Sequence, residues 1–389
     1  MSFRDQLTGA VVMAPMTKGS NLPYRQLAVE LGARVLVSEM VVARRLKQRR
    51  RGEFALIRRA PGEPCFGVQL AGNQPEETAW AAALVASRGA DFVDLNLGCP
   101  IDHFTRKGLG AALARQPGRV RAIVEALKRA VTVPVTVKIR LGWNDGKRNA
   151  IEIARASVDG GADALFVHGR TREARYRQPA EWDAIAEVAA AVPVPVVGNG
   201  DLLFPHEISH RLATSGCVGV MIARGALIKP WIFREATEGY WDISAEERLA
   251  LYRRYVQLGR AHWAPAPGQR TVGDADPVGH TTESTDAIAL DEYGRARLRT
   301  FLRWHVGFWC RYVPRSADGA WPSMQGRARG PDPRSALDAL LSRSDEAALE
   351  YVTEELLNDG TLDAPPAEAP GAKAGAPGDV GVDDAMEAG

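Results

Sequence analysis

The sequence predicts an α/β protein: a (β/α)8 TIM barrel followed by a smaller all-α helical domain and a disordered tail. The first observation is a series of eight short, nearly all-apolar runs with amphipathic segments between them. Parallel strands that are covered by helices on both faces have this pattern. The second observation is a change after residue 240, where apolar residues recur at helical spacing and then give way to acidic, Ala-, Pro- and Gly-rich sequence.

The predicted strands are short β-branched runs within the first 240 residues. They cover residues 10–14, 34–38, 65–70, 92–96, 135–139, 164–167, 194–197 and 218–222. Amphipathic helices are predicted between several of them, over residues 75–88, 118–130, 149–159 and 179–191. Residues 1–240 are therefore expected to form the catalytic barrel.

A helical domain is predicted over residues 241–358. Ser244 and Glu247 have the spacing of a capping box, which begins a helix. Residues 264–294 are rich in Pro, Gly, Thr and Asp, and predict a mobile insertion. On the helix that follows, His305 lies on the apolar face and is predicted to be a core histidine. Residues 359–389 predict a disordered acidic tail.

The composition is typical of a soluble globular protein, with 46% hydrophobic and 25% charged residues among 389. No apolar run approaches the roughly 20 residues that cross a bilayer, and the N-terminus has no signal-peptide core. The four cysteines are far apart, which disfavours disulfides or a zinc site and favours a reducing compartment. We expect a cytoplasmic protein without a metal site, a membrane contact or an obligate protein partner.

The charged residues are distributed unevenly along the chain. The formal net charge is +2, but without residues 360–389 the chain holds 48 Lys and Arg against 41 Asp and Glu. The densest basic run follows the second predicted strand and contains Arg44, Arg45, Lys47, Arg49, Arg50 and Arg51, then Arg58 and Arg59. Such a run is a candidate contact for nucleic-acid phosphates, although most charge runs are merely solvated.

Polar residues and glycines follow the predicted strands at their carboxyl ends, where TIM barrels carry their active sites. In chain order they are Gln69, Asn96, Cys99, Lys138, Arg140, His168, Arg170, Arg172, Asn199, Gly200, Asp201, Arg224 and Gly225. Because the carboxyl ends of all eight strands meet at one rim, we predict that these residues form a single site.

The types of these residues suggest particular chemistry. Gly200, Arg224 and Gly225 lie in the last two loops, where many barrels bind a phosphate, although tight turns alone would also explain the glycines. Lys138 is costly to bury without an anion, which could be a reduced flavin or a neighbouring carboxylate. Cys99 is mostly a thiol at neutral pH and could act as a general acid, or could be a small apolar residue.

Seven motifs, in this order, resemble those of the tRNA-dihydrouridine synthase family. They are Ala14-Pro15-Met16, Val68-Gln69-Leu70, Asn96-Leu97-Gly98-Cys99-Pro100, Val137-Lys138-Ile139-Arg140, His168-Gly169-Arg170-Thr171, Gly198-Asn199-Gly200-Asp201 and Ala223-Arg224-Gly225. The resemblance covers roughly residues 8–240. Further stretches, over residues 99–103, 107–111, 225–231 and 240–244, look like the eukaryotic type-3 members, which modify the variable loop of tRNA. Arg311-Tyr312-Val313-Pro314 extends that likeness into the helical domain.

The resemblance implies a flavoenzyme that holds FMN, takes electrons from NADPH or NADH and reduces a uridine in tRNA. The residues expected to hold FMN are Pro15, Met16, Gln69, Lys138, His168, Asn199, Gly200, Asp201, Arg224 and Gly225. It also implies that hydride passes from FMN N5 to uracil C6 while Cys99 protonates C5, with Lys138 and His168 as further catalytic residues. The residues expected to bind the base are Asn96, Arg140, Arg170 and Arg172, together with His168. The helical domain would hold the tRNA.

Two other functions are compatible with these patterns. The first is an FMN barrel that reduces or oxidises a free pyrimidine, which would not need the basic run or the helical domain. The second is a non-catalytic tRNA-binding protein, which the presence of both Cys99 and Lys138 disfavours.

Overall fold

A computed structural model of the protein describes residues 2–265, 289–322, 324 and 332–367. Its central element is a closed barrel in which every paired strand is parallel to its neighbour. The strands are β1 Val11–Met13, β2 Val35–Val37, β3 Val41–Val42, β4 Cys65–Ala71, β5 Phe92–Asn96, β6 Val135–Arg140, β7 Ala164–His168, β8 Val196–Asn199 and β9 Gly219–Ile222. The predicted TIM barrel is confirmed, and each predicted strand is found within a few residues of its expected position.

Two of the nine strands act as one interrupted strand. Both β2 and β3 pair with β4, at Cys65–Gly67 and at Leu70 and Ala71 respectively. Between them, Ser38 Oγ accepts a hydrogen bond from the Gln69 backbone N–H at 3.1 Å. The barrel therefore has eight strand positions, and it closes where β1 pairs with both β2 and β9. The interruption brings Met40 to the carboxyl end of the barrel, where it lines the cleft described below.

Helices cover the outside of the barrel because each has one apolar face. In α7, for example, Pro117 occupies the first turn, and Val120, Ile123, Val124 and Leu127 are buried. The barrel helices are α1 Phe3–Leu7, α2 Leu22–Glu30, α3 Ala43–Lys47, α4 Arg51–Leu56, α5 Pro75–Ser87, α6 Asp102–Thr105, α7 Pro117–Ala130, α8 Ala150–Asp159, α9 Trp182–Ala190, α10 Pro205–Thr214, α11 Arg224–Ile228 and α12 Ile232–Glu238, with a 3-10 helix at Gly110–Arg115.

A helical unit follows the barrel and packs against it. Its helices are α13 Ala245–Trp263, α14 Glu292–Trp309, α15 Ala336–Leu341 and α16 Glu346–Leu357. The predicted capping box is present, with the Glu247 N–H donating to Ser244 Oγ at 3.1 Å. His305 is fully buried, as predicted, and stacks on Tyr24 of α2 with 4.1 Å between ring centroids. One apolar core thus runs through both units.

The structure covers only parts of the predicted insertion and tail. Residues 266–288 of the insertion and 368–389 of the tail lie outside the described residues. Asp291 caps α14 by accepting from the Gly294 N–H at 2.7 Å. Residues 292–294, which were predicted to belong to the insertion, are therefore the first turn of α14. Leu362 is buried and Arg343 donates to the Pro366 carbonyl at 2.7 Å. The first residues assigned to the tail therefore pack on the helical unit, because Leu362 finds an apolar site there.

Within the described residues, no helix is long and apolar enough to span a bilayer. The same residues contain no group of three or more His, Cys, Asp or Glu side chains placed to hold a metal ion. None of the four cysteines is in a disulfide.

Candidate active site

A cleft opens at the carboxyl ends of the barrel strands, with about 910 Å³ of empty space when the open solvent at its mouth is included. Fourteen of the fifteen predicted site residues line it, namely Pro15, Met16, Gln69, Asn96, Cys99, Lys138, Arg140, His168, Arg170, Asn199, Gly200, Asp201, Arg224 and Gly225. The exception is Arg172, which pairs with Asp102 and packs its guanidinium 4.7 Å from the Trp143 ring centroid. The parallel barrel brings together residues that are far apart in sequence, since each follows a different strand.

A chain of buried hydrogen bonds positions the segment that carries Cys99. Thr136 Oγ1 and Gln69 Nε2 each donate to the Asp94 carboxylate at 2.7 Å. Asn96 Nδ2 then donates to Gln69 Oε1 at 2.7 Å, and Asn96 Oδ1 accepts the Cys99 backbone N–H at 2.9 Å. Because Asp94 ordinarily only accepts, the chain orients both amides so that Asn96 presents its oxygen to the Cys99 loop. Burial raises the Asp94 pKa to about 6.

The Cys99 segment also rests against a glycine of the following loop. Gly110 has φ +58, and a Cβ added there would lie 2.7 Å from the Cys99 carbonyl oxygen. The Ala111 N–H donates to this same oxygen at 3.0 Å. The half-buried Cys99 side chain lines the cleft. Only glycine fits the close approach at this left-handed position.

Lys138 carries a positive charge on the cleft wall. Its Nζ donates to Asn199 Oδ1 at 3.1 Å and, in the described part of the chain, forms no ion pair with a carboxylate. Burial and then the neighbouring Arg140 lower the Lys138 pKa to about 8, against a smaller opposing effect of Asp94. No described carboxylate contacts the ammonium group directly, so an anionic ligand would suit it.

His168 is a neutral imidazole at physiological pH. Burial, followed by the charges of Arg140, Lys138, Arg170 and Arg224, holds its pKa well below the ordinary value. Arg170 Nη1 lies 3.2 Å from His168 Nε2. Since a guanidinium can only donate, Nε2 accepts and the ring proton resides on Nδ1.

Asp201 holds two arginines at the cleft. It accepts from Arg170 Nη2 at 2.5 Å and from Arg224 Nη2 at 2.9 Å. Arg170 is almost fully buried and also donates to the Gln178 carbonyl at 2.6 Å. The Arg224 guanidinium lies 4.1 Å from the Tyr176 ring centroid. The three bonds of Arg170 go to the protein, so it positions His168 and Asp201 in addition to lining the cleft.

The two glycines of the last loops are needed for close packing. A Cβ at Gly225 would lie 2.0 Å from the Leu202 carbonyl oxygen, and one at Gly200, where φ is +142, would lie 2.3 Å from Ala180 Cβ. These contacts explain both glycines without a ligand. Both residues nevertheless line the cleft, where their backbones would be accessible to a phosphate.

Sequence reasoning missed several lining residues and misplaced one basic residue. The missed residues include Thr17, Met40, Tyr176 and Met324. Tyr176 follows β7 and could have been found from its position in a rim loop. Met40 depends on the break between β2 and β3, and Met324 comes from the helical unit. Arg59 lies at the opposite end of the barrel, donating to the Gly89 carbonyl at 3.1 Å, because the chain returns there to begin β4.

The residues present fit an anionic, ring-containing cofactor. Like most cofactor sites, the cleft combines polar groups with apolar side chains, here Met16, Met40 and Met221. Lys138 offers a cation without a carboxylate partner among the described residues, and His168 offers a neutral imidazole. The fold and the cleft therefore define a TIM-barrel protein with a site at the carboxyl rim, where barrels of this kind bind their ligands, that suits an anionic cofactor.

Comparison with known proteins identifies the family. The family described as "Dihydrouridine synthase (Dus)" matches residues 12–265, and the chain belongs to this family. The chain is 43% identical over 271 residues to "tRNA-dihydrouridine(47) synthase [NAD(P)(+)]" of Coprinopsis cinerea, covering 66% of this chain and 40% of the relative. It is 38% identical over 314 residues to "tRNA-dihydrouridine(47) synthase [NAD(P)(+)]-like" of Homo sapiens, covering 80% and 44%. The chain thus spans about two-fifths of the length of these relatives.

Proposed function

We propose that the protein reduces a uridine of tRNA to dihydrouridine, with FMN as its cofactor and NADPH or NADH as the reductant. The observation that carries the proposal is that the Cys99 thiol and the Lys138 ammonium line the same cleft. The first can give a proton, and the second can stabilise an anionic cofactor. Family membership and the names of the relatives support the same reaction.

Reduction of the uracil C5–C6 double bond requires one hydride and one proton. Bound FMN, once reduced by NAD(P)H, would supply the hydride to C6. Cys99 Sγ–H would give the proton to C5, which leaves a thiolate that solvent reprotonates. The backbone N–H that Cys99 donates to Asn96 keeps the thiol segment in place while the base reacts.

The other cleft residues would hold the cofactor and the base. Lys138 would place its positive charge beside the electron-rich edge of the reduced flavin. Gly200, Arg224 and Gly225 would bind the FMN phosphate, with Arg224 aligned by Asp201. Asn96 and Arg140 would contact the uracil ring after it leaves the RNA stack, since chemistry on a base requires such an extruded base.

The proposed target is the uridine at position 47, in the variable loop. The relatives from Coprinopsis cinerea and Homo sapiens carry this position in their names. Most of the motifs that resemble type-3 members lie in the barrel, and the 314 residues aligned with the human relative extend beyond it into the helical unit.

The test is to map dihydrouridine in unmodified tRNA after incubation with the full-length, flavin-loaded protein and NADPH. We expect product at position 47 and a loss of at least 100-fold in Cys99→Ala, because a positioned general acid contributes roughly 10²–10⁴-fold. Cys65→Ala is the matched control, since Cys65 is buried at the amino end of β4, away from the cleft.

Two results would overturn the proposal. Equal product formation by Cys99→Ala and wild type would remove the proton-donor role. Turnover of free uracil comparable to that of tRNA, with no dihydrouridine in the tRNA, would instead indicate an enzyme of free pyrimidines.

A further inference from the structure

We propose that an exposed basic surface on the barrel rim binds the phosphate backbone of the tRNA beside the cleft. We call this the rim surface, and it comprises Arg44, Lys47, Arg49 and Arg50 around α3 and Arg106 and Lys107 after α6. All six side chains are exposed. The inference rests on the proposed function, because it names where the tRNA substrate of that reaction docks.

The rim surface adjoins the wall of the cleft that carries Cys99. A small apolar cluster joins the two, in which Val42, Phe104 and Leu109 are buried and Met40, Cys99 and Ile101 pack around them. Val42 directly precedes α3, and Phe104 belongs to α6. The Arg45 guanidinium lies 6.0 Å from the Phe104 ring centroid, which links the two helices further.

Acidic residues near this surface are already paired. Glu53 is buried, where its carboxylate accepts the Val42 N–H at 2.7 Å and pairs with Arg45 at 3.3 Å. The exposed carboxylate of Asp102 pairs with Arg172. Residues 44–51 contain six cations and no carboxylate. Arg44, Lys47, Arg49 and Arg50 form no ion pair within the described residues.

The arrangement of positive charges on α3 also favours an anionic partner. Arg44 and Lys47 are three residues apart on one short helix, where like charges repel each other. No carboxylate in the described part of the chain forms an ion pair with either residue. A polyanion that neutralises these charges releases its own counterions, which provides favourable free energy.

The helical unit has the opposite charge balance, with more acidic than basic residues. Its described residues, 241–265, 289–322 and 332–367, hold 12 Lys and Arg against 15 Asp and Glu, whereas residues 1–240 hold 33 against 23. Arg299 pairs with Glu350 and Glu354. Arg303 pairs with Glu346 at 2.6 Å. The arginines of α14 are therefore largely engaged within the unit, and the excess positive charge resides on the barrel.

The chemistry of the cleft selects RNA as the polyanion. The proposed reaction places one extruded base in the cleft, which leaves the phosphates on either side of that base at the mouth. A cationic surface next to the Cys99 wall is placed to meet those phosphates. Contacts of this kind position a nucleic acid without reading its sequence.

The test compares tRNA binding by flavin-loaded, full-length variants over a range of salt concentrations. The triple variant Arg44→Gln/Lys47→Gln/Arg50→Gln removes three charges from the rim surface. We expect the slope of log affinity against log salt to fall by about 3 and affinity at low salt to fall roughly 10- to 100-fold. Reduction of the flavin by NADPH should be unchanged, since none of these residues lines the cleft.

The matched control is Arg34→Gln/Arg129→Gln/Arg155→Gln. It removes the same charge from exposed positions before β2, at the end of α7 and on α8. A slope and affinity equal to wild type are expected for it. The single variants Lys47→Gln and Arg50→Gln should each lower the slope by about 1, so the proposal stays testable even if the triple variant loses flavin.

Failure of this inference differs from failure of the proposed function. If wild type forms dihydrouridine but the rim-surface variants and the control bind tRNA equally, the rim surface is wrong and the reaction stands. If wild type neither binds tRNA more tightly than a mononucleotide nor modifies it, both ideas fail.

Discussion

At the scale of single residues, the surroundings of a side chain decide its chemistry. Lys138 and His168 lie on neighbouring strands, and burial lowers the pKa of both. For His168 this gives a neutral ring at physiological pH. For Lys138 it gives an ammonium group with a pKa of about 8, which the more distant Asp94 carboxylate raises only in part.

The first residue-scale prediction concerns Lys138 and pH. The ammonium form predominates below its pKa of about 8, so FMN affinity of the apoprotein should fall as pH rises through that value. Lys138→Met should weaken FMN binding by about 1.5–3 kcal/mol at pH 7, the usual worth of a hydrogen bond to a charged group. The measurement is a fluorescence titration of FMN between pH 6 and 9.5.

The control in this titration is the shape of the pH curve. Lys138→Met should show no inflection near pH 8, whereas wild type should. Parallel curves for the two proteins would show that another group controls cofactor binding.

At the scale of elements, loops next to the strands set the position of the reactive groups. The Cys99 loop is held from one side by the Asp94–Gln69–Asn96 hydrogen bonds and from the other by the turn at Gly110. Gln69 and Asn96 also line the cleft, whereas Gly110 does not. The turn at Gly110 acts by placing Cys99, so a small change there should affect turnover more than cofactor binding.

Gly110→Ala should displace the Cys99 segment, because the new Cβ would lie 2.7 Å from the Cys99 carbonyl oxygen. We expect dihydrouridine formation to fall roughly 10- to 100-fold while FMN is retained, since misplacement by about 1 Å costs a comparable factor. Gly62→Ala is the matched control, with a similar φ of +76 but nothing within 4 Å of the added Cβ. Equal activity of both variants would show that the close contact is unimportant.

At the scale of the whole molecule, the barrel and the helical unit form one packed structure. His305 of α14 stacks on Tyr24 and lies 3.0 Å from Asn21 Nδ2, both in the first part of the barrel. Between β9 and the helical unit, Lys229 and Glu235 form a fully buried ion pair at 2.6 Å. Because the core is shared, removing the helical unit would expose apolar barrel surface.

Lys229→Met should destabilise the protein by about 3–5 kcal/mol, because it leaves the buried Glu235 carboxylate unpaired. The double variant Lys229→Met/Glu235→Gln should recover part of that loss. Urea unfolding of the full-length protein measures both. Arg121→Met is the control, since its exposed pair with Glu125 should contribute less than about 1 kcal/mol. A Lys229→Met midpoint as high as that of the control would contradict the prediction.

Much of the fold and of the candidate site could be predicted from sequence, because both depend on local patterns. Buried parallel strands need continuous apolar runs, and β4 and β5 are buried throughout as expected. Each strand ends at the same rim, so Gln69, Cys99 and Lys138 could be assigned to one cleft without coordinates. The capping box of Ser244 and Glu247 could also be predicted, because its two residues are only three positions apart.

The sequence by itself therefore determined the barrel, most of the residues at its rim and the family, since strand order and strand ends follow from local sequence patterns. Only the tertiary structure decided which charged side chains pair with residues that are distant in sequence. In the structure Arg59 lies at the far end of the barrel. Arg172 pairs with Asp102, and Arg299 pairs with Glu354 of α16. Arg44 and Lys47 of α3 form no ion pair among the described residues. The physical reason is that an ion pair depends on distances in space, which spacing along the chain does not specify.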